Sequence, residues 1–332
     1  MFRSVLAGCG AISQKHIDAL LDLKDVTEIA AFCDTDIKKA EAKAALAGGR
    51  VYSDFDEMLD KEKIDVLHIC TPHYLHVPMA KKALERGIAV VCEKPAAISR
   101  EQFAELKKAS ENAPLGICFQ NRYNESVVRA KALLESGEYG KVKGARGIVT
   151  WSRGGDYYTK SPWRGKKVLE GGGVLMNQSI HTLDLMTYLL GRPVKVSAHT
   201  ANEHLKKVID EEDTVFAYMT FSDFTAIFFA TSANPVDSPI ILEIYCENAT
   251  LRIEGNTLRV KTADGATFDD FTVKAKNGKS VWGTSHEKLI REFYSCLSSG
   301  KRFPVGIDSV TDSFDALMAI YDSAERLDET AL

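Results

Sequence analysis

The chain has 332 residues, 45% apolar and 27% charged, with a formal net charge of -4 and seven cysteines. That length exceeds one ordinary core and fits two domains of a soluble globular protein. No lysine/arginine tract marks a nucleic-acid partner, no apolar stretch is long enough for a membrane or for export, and an odd cysteine count without metal-ligand spacing points to reduced core thiols. A cytoplasmic protein without a metal is expected.

The first third alternates apolar runs with amphipathic helices. Strands are expected at 4–8, 26–33, 66–70, 89–92 and 115–119, with helices near 17–23, 37–46, 79–86 and 102–109. Such alternation predicts a doubly wound parallel sheet that binds ligands at the carboxyl ends of its strands. At the first of these ends, VLAGCGAIS sets Gly8, Gly10, Ala11 and Ile12 between strand and helix. Bare backbone lets amides approach a pyrophosphate, and the helix N-terminus favours its charge. Ser13 takes the third position of the usual glycine fingerprint. Asp34 ends the second strand, where a carboxylate binds an adenosine ribose and repels a 2′-phosphate; its plainer role is a cap on the helix from Ile37. The balance favours NAD, with NADP kept open by Lys38 and Lys39.

Thr71 and Pro72 of CTPHYLH end another strand at the same edge. His73 and His76 form an HxxH without a third or fourth ligand, which suits a turn against the cofactor better than a metal. In VVCEKPAAIS a buried strand runs into Glu93 and Lys94. A lysine there sits where such sheets bind ligands, although a salt bridge with Glu93 would also account for it.

Beyond Gln120 the pattern changes. A helix at 126–136, a strand at 142–151 and an irregular stretch rich in Gly, Tyr and Lys lead into GGGVLMNQSIHTLDLMTYLLG at 171–191. At roughly 100° per residue, Asn177, His181, Asp184 and Tyr188 make a polar stripe about 60° wide on an otherwise apolar helix. Burying these groups is costly unless they bond one another or a ligand, so the stripe faces a polar network or a site. Alternating strands at 194–200, 214–221, 225–231, 240–246, 250–253, 258–261 and 268–273 predict an antiparallel meander, and helices at 287–297 and 309–327 follow. The expected domains are 1–121, dinucleotide-binding, and 122–332, for substrate binding and oligomerisation. Strand 240–246 carries Ile, Leu and Tyr on both faces, more than one helix layer covers, which predicts a homodimer or homotetramer through this sheet.

The motifs GCGAIS, CTPHYLH, CEKP, FQNRYN, SPWRG, GGGVLMNQSIHTLDLMTYLLG and WGTSHEKLIREFY occur in the order and spacing of the Gfo/Idh/MocA family, named for glucose-fructose oxidoreductase and inositol dehydrogenase. Nearly the whole chain resembles that family. The resemblance implies an α/β fold: an N-terminal Rossmann domain with a doubly wound parallel sheet, then an α+β domain with a large, open-faced, mostly antiparallel sheet. It also implies a nicotinamide cofactor, redox chemistry at a sugar or cyclitol carbon, and a cis peptide before Pro95. Carried over residue by residue, Lys94 matches the catalytic lysine and His181 the acid/base histidine. Asn177 stands where inositol dehydrogenase-like members have an aspartate. An amide cannot exchange a proton at neutral pH but can hold a hydroxyl, and Asn-Gln at this position resembles a branch acting on nucleotide-linked sugars. Arg122, Tyr123, Trp163, Arg164 and His286 are candidates for binding substrate or the nicotinamide end, and Asp184 for orienting His181.

On this reading His181 removes the hydroxyl proton while hydride leaves the carbinol carbon, and Lys94 stabilises the alkoxide. Arg122, Arg153, Lys160, Arg164, Lys166 and Lys167 are either solvated charge or a phosphate site, so phosphorylated and nucleotide-linked sugars stand beside neutral sugars and cyclitols. Two alternatives remain open: a redox-neutral hydrolase or lyase that uses NAD transiently, and a non-catalytic NAD(P)-binding sugar sensor. Retention of Lys94 and His181 argues against the sensor.

Overall fold

The computed structural model describes residues 1–270 and 285–326, and contacts divide the chain into two compact units. The first begins with β1 (Phe2–Ala7), α1 (Ser13–Leu21), β2 (Thr27–Cys33), α2 (Ile37–Ala47), β3 (Arg50–Tyr52), α3 (Phe55–Lys61), β4 (Val66–Ile69), α4 (His76–Leu84), β5 (Ala89–Cys92), α5 (Arg100–Ala109) and β6 (Leu115–Ile117). The strands pair in parallel in the order β3-β2-β1-β4-β5-β6. Strand order reverses between β1 and β4, which makes their carboxyl ends the switch point where such sheets take ligands. Every residue of β5 is buried, and it reads as an uninterrupted apolar run, as in a sheet covered on both faces. The sequence reading passed over β3 and α3, both too short to show a period.

The second unit contains α6 (Glu125–Ser136), β7 (Val142–Thr150), α7 (Gly155–Thr159), α8 (Lys167–Glu170), α9 (Ile180–Leu190), β8 (Lys195–Ala201), β9 (Thr214–Thr220), β10 (Thr225–Thr231), β11 (Ile241–Cys246), β12 (Thr250–Glu254), β13 (Thr257–Thr262) and β14 (Gly265–Asp270). Its sheet runs β14-β13-β12-β11-β7-β10-β9-β8. The expected meander is corrected here. β7 precedes three helices in the chain and inserts between two meanders, parallel to β10 and antiparallel to β11.

The chain then returns to the first unit with α10 (Ser285–Ser299) and enters the second again with α11 (Thr311–Ala324). A second domain running unbroken from 122 is therefore also corrected, since Ser285–Val310 belongs to the first unit. The cause is amphipathic: α10 packs on α1 and buries Leu289, Ile290, Phe293 and Tyr294. Residues 271–273 of the last expected strand, Trp282, Gly283 and Thr284 of the WGTSHEKLIREFY motif, and Leu327 lie outside the described residues. In the second unit α9 packs on β7 and α11 on β8 and α9, so helices cover one face of the sheet.

Candidate active site

At the end of β1 the chain turns through Gly8, whose φ is +89° and where a Cβ would lie 2.6 Å from the Cys70 carbonyl. Geometry and packing both require glycine there. A Cβ on Gly10 would meet nothing within 4 Å, so packing places no demand on that residue and its backbone lies open. Ser13 donates its hydroxyl to the Gly10 carbonyl at 2.7 Å, tying the turn to the start of α1. Ile12 caps that helix without a side-chain hydrogen bond, and the Gln14 and Lys15 amides of its first turn donate to the Ala11 and Ile12 carbonyls. Ala11, between them, is exposed.

The same turn positions Asp34, which accepts from the Cys9 amide at 2.8 Å and the Asp36 amide at 2.9 Å. The residue capping α2 is Asp36, so Asp34 does not serve as that cap. At the end of β4, beside Pro72, the Thr71 hydroxyl is buried without a hydrogen-bond partner, an atom that a polar ligand would satisfy. An open glycine cradle, an uncapped helix N-terminus, a fixed carboxylate and an orphan hydroxyl fit a dinucleotide.

His76 packs against backbone. Its ring is buried, with Nδ1 2.9 Å from the Pro95 carbonyl and Nε2 3.0 Å from that of Thr71. The neutral ring donates its single N–H to one of these carbonyls and packs beside the other, between two strand ends. Lys94 is only 9% exposed, and the peptide from it to Pro95 is cis.

Glu93 turns inward. Its Oε1 accepts from His16 Nε2 at 3.0 Å and His286 Nε2 at 3.1 Å. His286 is thereby a buried residue of the first unit. Burial pushes the Glu93 carboxyl up, but the hydrogen bonds from His16 and His286 outweigh it and hold the group well below the usual carboxylate range. From His16 the network continues through His68, Nδ1 to Nδ1 at 2.8 Å, to the Tyr294 hydroxyl at 2.9 Å and on to Ser4. The ligand atoms of His16, Glu93 and His286 lie within 4.8 Å of one another, a spacing a metal could use, but here they are joined by hydrogen bonds.

In the second unit regular helix begins only at Ile180, so Asn177 belongs to the turn before α9 and not to its stripe. Its Nδ2 donates to buried Glu170, whose other oxygen accepts from the Gly165 amide. His181, in the first turn of α9, is buried. Asp184 is engaged elsewhere: it accepts from Arg122 Nε at 2.8 Å and Nη2 at 2.5 Å, and from the Ser313 hydroxyl at 2.6 Å. Arg122 also lies 4.7 Å from the Tyr188 ring centre. Arg122 and Asp184 form a buried ion pair, and the Asp184 oxygens are shared between Arg122 and Ser313. Tyr123 is half-buried in the turn Gln120–Tyr123. Trp163 is half-buried, and the Arg164 guanidinium lies 4.2 Å from the Tyr157 ring centre and 5.5 Å from that of Trp163. Arg164 Nε is buried without a hydrogen-bond partner.

Residues 2–117 match the model of the oxidoreductase family with an NAD-binding Rossmann fold, and residues 127–252 that of the GFO/IDH/MocA C-terminal domain. The chain belongs to this family. Among Gfo/Idh/MocA relatives, D-apiose dehydrogenase of Paraburkholderia graminis is 26% identical over 316 residues, covering 90% of this chain and 81% of that one. D-glucoside 3-dehydrogenase of Escherichia coli is 30% identical over 205 residues, 60% of this chain and 57% of that one. The WlbA dehydrogenase from Bordetella pertussis, in complex with NADH and UDP-GlcNAcA, is 28% identical with a TM-score of 0.85 and covers 98% of this chain and 97% of its own. The first unit is thus the NAD-binding Rossmann domain of an oxidoreductase. No helix among the described residues is long and apolar enough to cross a membrane.

The sequence reading missed His16, His68, Tyr294, Glu170 and Glu212, all buried polar partners. A histidine in the middle of the apolar run VLHI was the available signal for His68. Glu170 ends the four-residue helix α8 and Glu212 lies in an irregular stretch, and neither setting has a periodicity that separates inside from outside.

Proposed function

We propose that the protein is an NAD-dependent dehydrogenase acting at a carbinol carbon of a sugar or cyclitol. The observation that carries this reading is Lys94, a buried lysine at the ligand edge of the Rossmann sheet, while neighbouring Glu93 gives its Oε1 to two histidines. NAD, when bound, accepts the hydride. His181 takes the hydroxyl proton, a task suited to an imidazole near neutral pH. Lys94 donates a hydrogen bond to the same oxygen and stabilises its developing charge. Asn177, anchored through Glu170, holds a neighbouring hydroxyl and cannot itself act as a base.

Arg164 supports an anionic substituent on the substrate, such as the phosphate of a phosphorylated or nucleotide-linked sugar. Arg153 is paired with Asp237 at 2.8 Å and Lys160 with Asp156 at 2.9 Å, whereas Arg164 rests against two aromatic rings with Nε unsatisfied. Guanidinium groups in such settings suit phosphate oxygens. Seven free cysteines, five of them buried, support a reducing compartment such as the cytoplasm. Assembly into a homo-oligomer through the uncovered sheet face is part of the same proposal.

A screen of free, phosphorylated and nucleotide-linked sugars, read by absorbance of reduced cofactor, tests the function. Net reduction of NAD is expected, and product formation without it would favour the redox-neutral hydrolase or lyase. Lys94→Ala and His181→Ala should each lower turnover at least ~10²-fold with NAD binding retained. Near-normal turnover removes that residue from the mechanism. Arg164→Ala should raise KM for a phosphate-bearing substrate about tenfold or more, and an unchanged KM rejects the anionic substituent.

A further inference from the structure

Glu93, His16 and His286 are all buried at the carboxyl end of β5, and their polar atoms face one another. Both imidazoles bond the same carboxylate oxygen. His286 Nδ1 is buried without a hydrogen-bond partner, so a second N–H on that ring would be left unsatisfied. Along the rest of the network a set of donors with neutral rings satisfies every bond. Tyr294 donates to His68 Nε2, His68 Nδ1–H to His16 Nδ1, and His16 Nε2–H to Glu93, with both rings neutral. Burial lowers the proton affinity of both His16 and His68, in keeping with that assignment. The group therefore carries one negative charge, on Glu93, in an interior where charges are poorly screened.

The position of that charge matters. In a two-halved Rossmann sheet each half takes one nucleotide of the dinucleotide. Asp34 and the 8–12 turn belong to the β3-β2-β1 half and serve the adenosine end, which leaves the nicotinamide end to the β4-β5-β6 half that Glu93 terminates. The oxidised nicotinamide ring is cationic and the reduced ring neutral. We propose that the Glu93 carboxylate, clamped by His16 and His286, is a fixed negative charge that raises affinity for the oxidised cofactor over the reduced one. This inference rests on the NAD reading above.

Calorimetric titration of NAD⁺ and NADH separately into the wild-type protein, Glu93→Gln and His286→Lys tests it without any turnover. Glutamine keeps an oxygen able to accept both histidine N–H groups while removing the charge, and lysine at 286 neutralises the charge while leaving it in place. Each variant should lower the NAD⁺-over-NADH affinity ratio about tenfold, the scale of a unit charge about 10 Å away at an effective dielectric constant of ~20. Asp34→Ala should weaken both nucleotides and leave the ratio unchanged. If Glu93→Gln does not fold, as judged by circular dichroism, His286→Lys decides. A ratio within about twofold of wild type, in a folded variant that binds both nucleotides, overturns the inference alone. A wild-type protein that binds neither nucleotide overturns the NAD reading beneath it.

Discussion

His181 and Asp184 lie within one turn of α9, and their surroundings give them opposite tasks. Arg122 and Ser313 occupy Asp184, in a buried pair whose partners are only 4% and 1% exposed. Such a pair adds little over an apolar replacement, but breaking it strands a buried cation at a cost of about 3–5 kcal/mol. Asp184→Ala should therefore lower unfolding stability by about that much in chemical denaturation, while KM of the folded fraction stays near wild type. A raised KM with stability intact would return Asp184 to the substrate. Helical spacing found His181 and Asp184 as buried polar residues of this stretch, while Asn177 precedes the helix and Tyr188 is half-buried. It could not assign their partners, because Arg122 and Ser313 lie 62 and 129 positions from Asp184 in the chain. The turn through Gly8 and Gly10 and the placement of Asp34 beside it were legible because they depend on backbone geometry within a single β-α-β unit. The partners of His76 and Glu93 were not legible, because local sequence shows that a polar group ends a strand, not which way its side chain turns.

The turn that delivers Asn177 and His181 to the start of α9 is held by one carboxylate. Glu212 accepts from the Gly173 amide at 3.0 Å, the Leu175 amide at 2.9 Å and the Tyr321 hydroxyl at 3.0 Å. Burial pushes its carboxyl up from 4.5 to about 7, against the pull of the backbone hydrogen bonds. The folded state thus binds this proton more tightly than the unfolded chain. Stability from the protonated form is complete below pH 4.5 and is lost as pH rises to about 7. Relative to Glu212→Gln, the wild-type protein should lose up to about 3 kcal/mol of unfolding free energy across that window. Denaturant curves at several pH values check this, and parallel pH profiles for the two proteins would rule it out. Longer elements were largely legible, with 225–231 and 89–92 matching β10 and β5. The order of the second sheet was not, because β7 carries the same alternation wherever it inserts.

Across the second unit, an apolar row crosses the sheet face that lies opposite α9 and α11. His199, Phe216, Phe229, Ile148 and Ile241 stand side by side on β8, β9, β10, β7 and β11. Phe216 and Tyr218 are 44% and 43% exposed. A row of this kind has the character of an interface between copies of a chain. Phe216→Lys combined with Tyr218→Lys should convert the expected dimer or tetramer to a monomer in light scattering at micromolar concentration. A wild-type protein that is already monomeric would defeat the expectation.

The path of the chain between its two units bears on how the protein is made. The first unit holds everything up to Gln120, yet it also needs Ser285–Val310. On the ribosome, Ser4, His68 and Glu93 emerge long before Tyr294 and His286, the side chains that satisfy them in the interior. A nascent chain paused at Gln120 carries the complete cofactor turn around a core whose polar atoms still need water. The unit encoded first is closed only after translation has passed Val310, and vectorial synthesis gives it no head start.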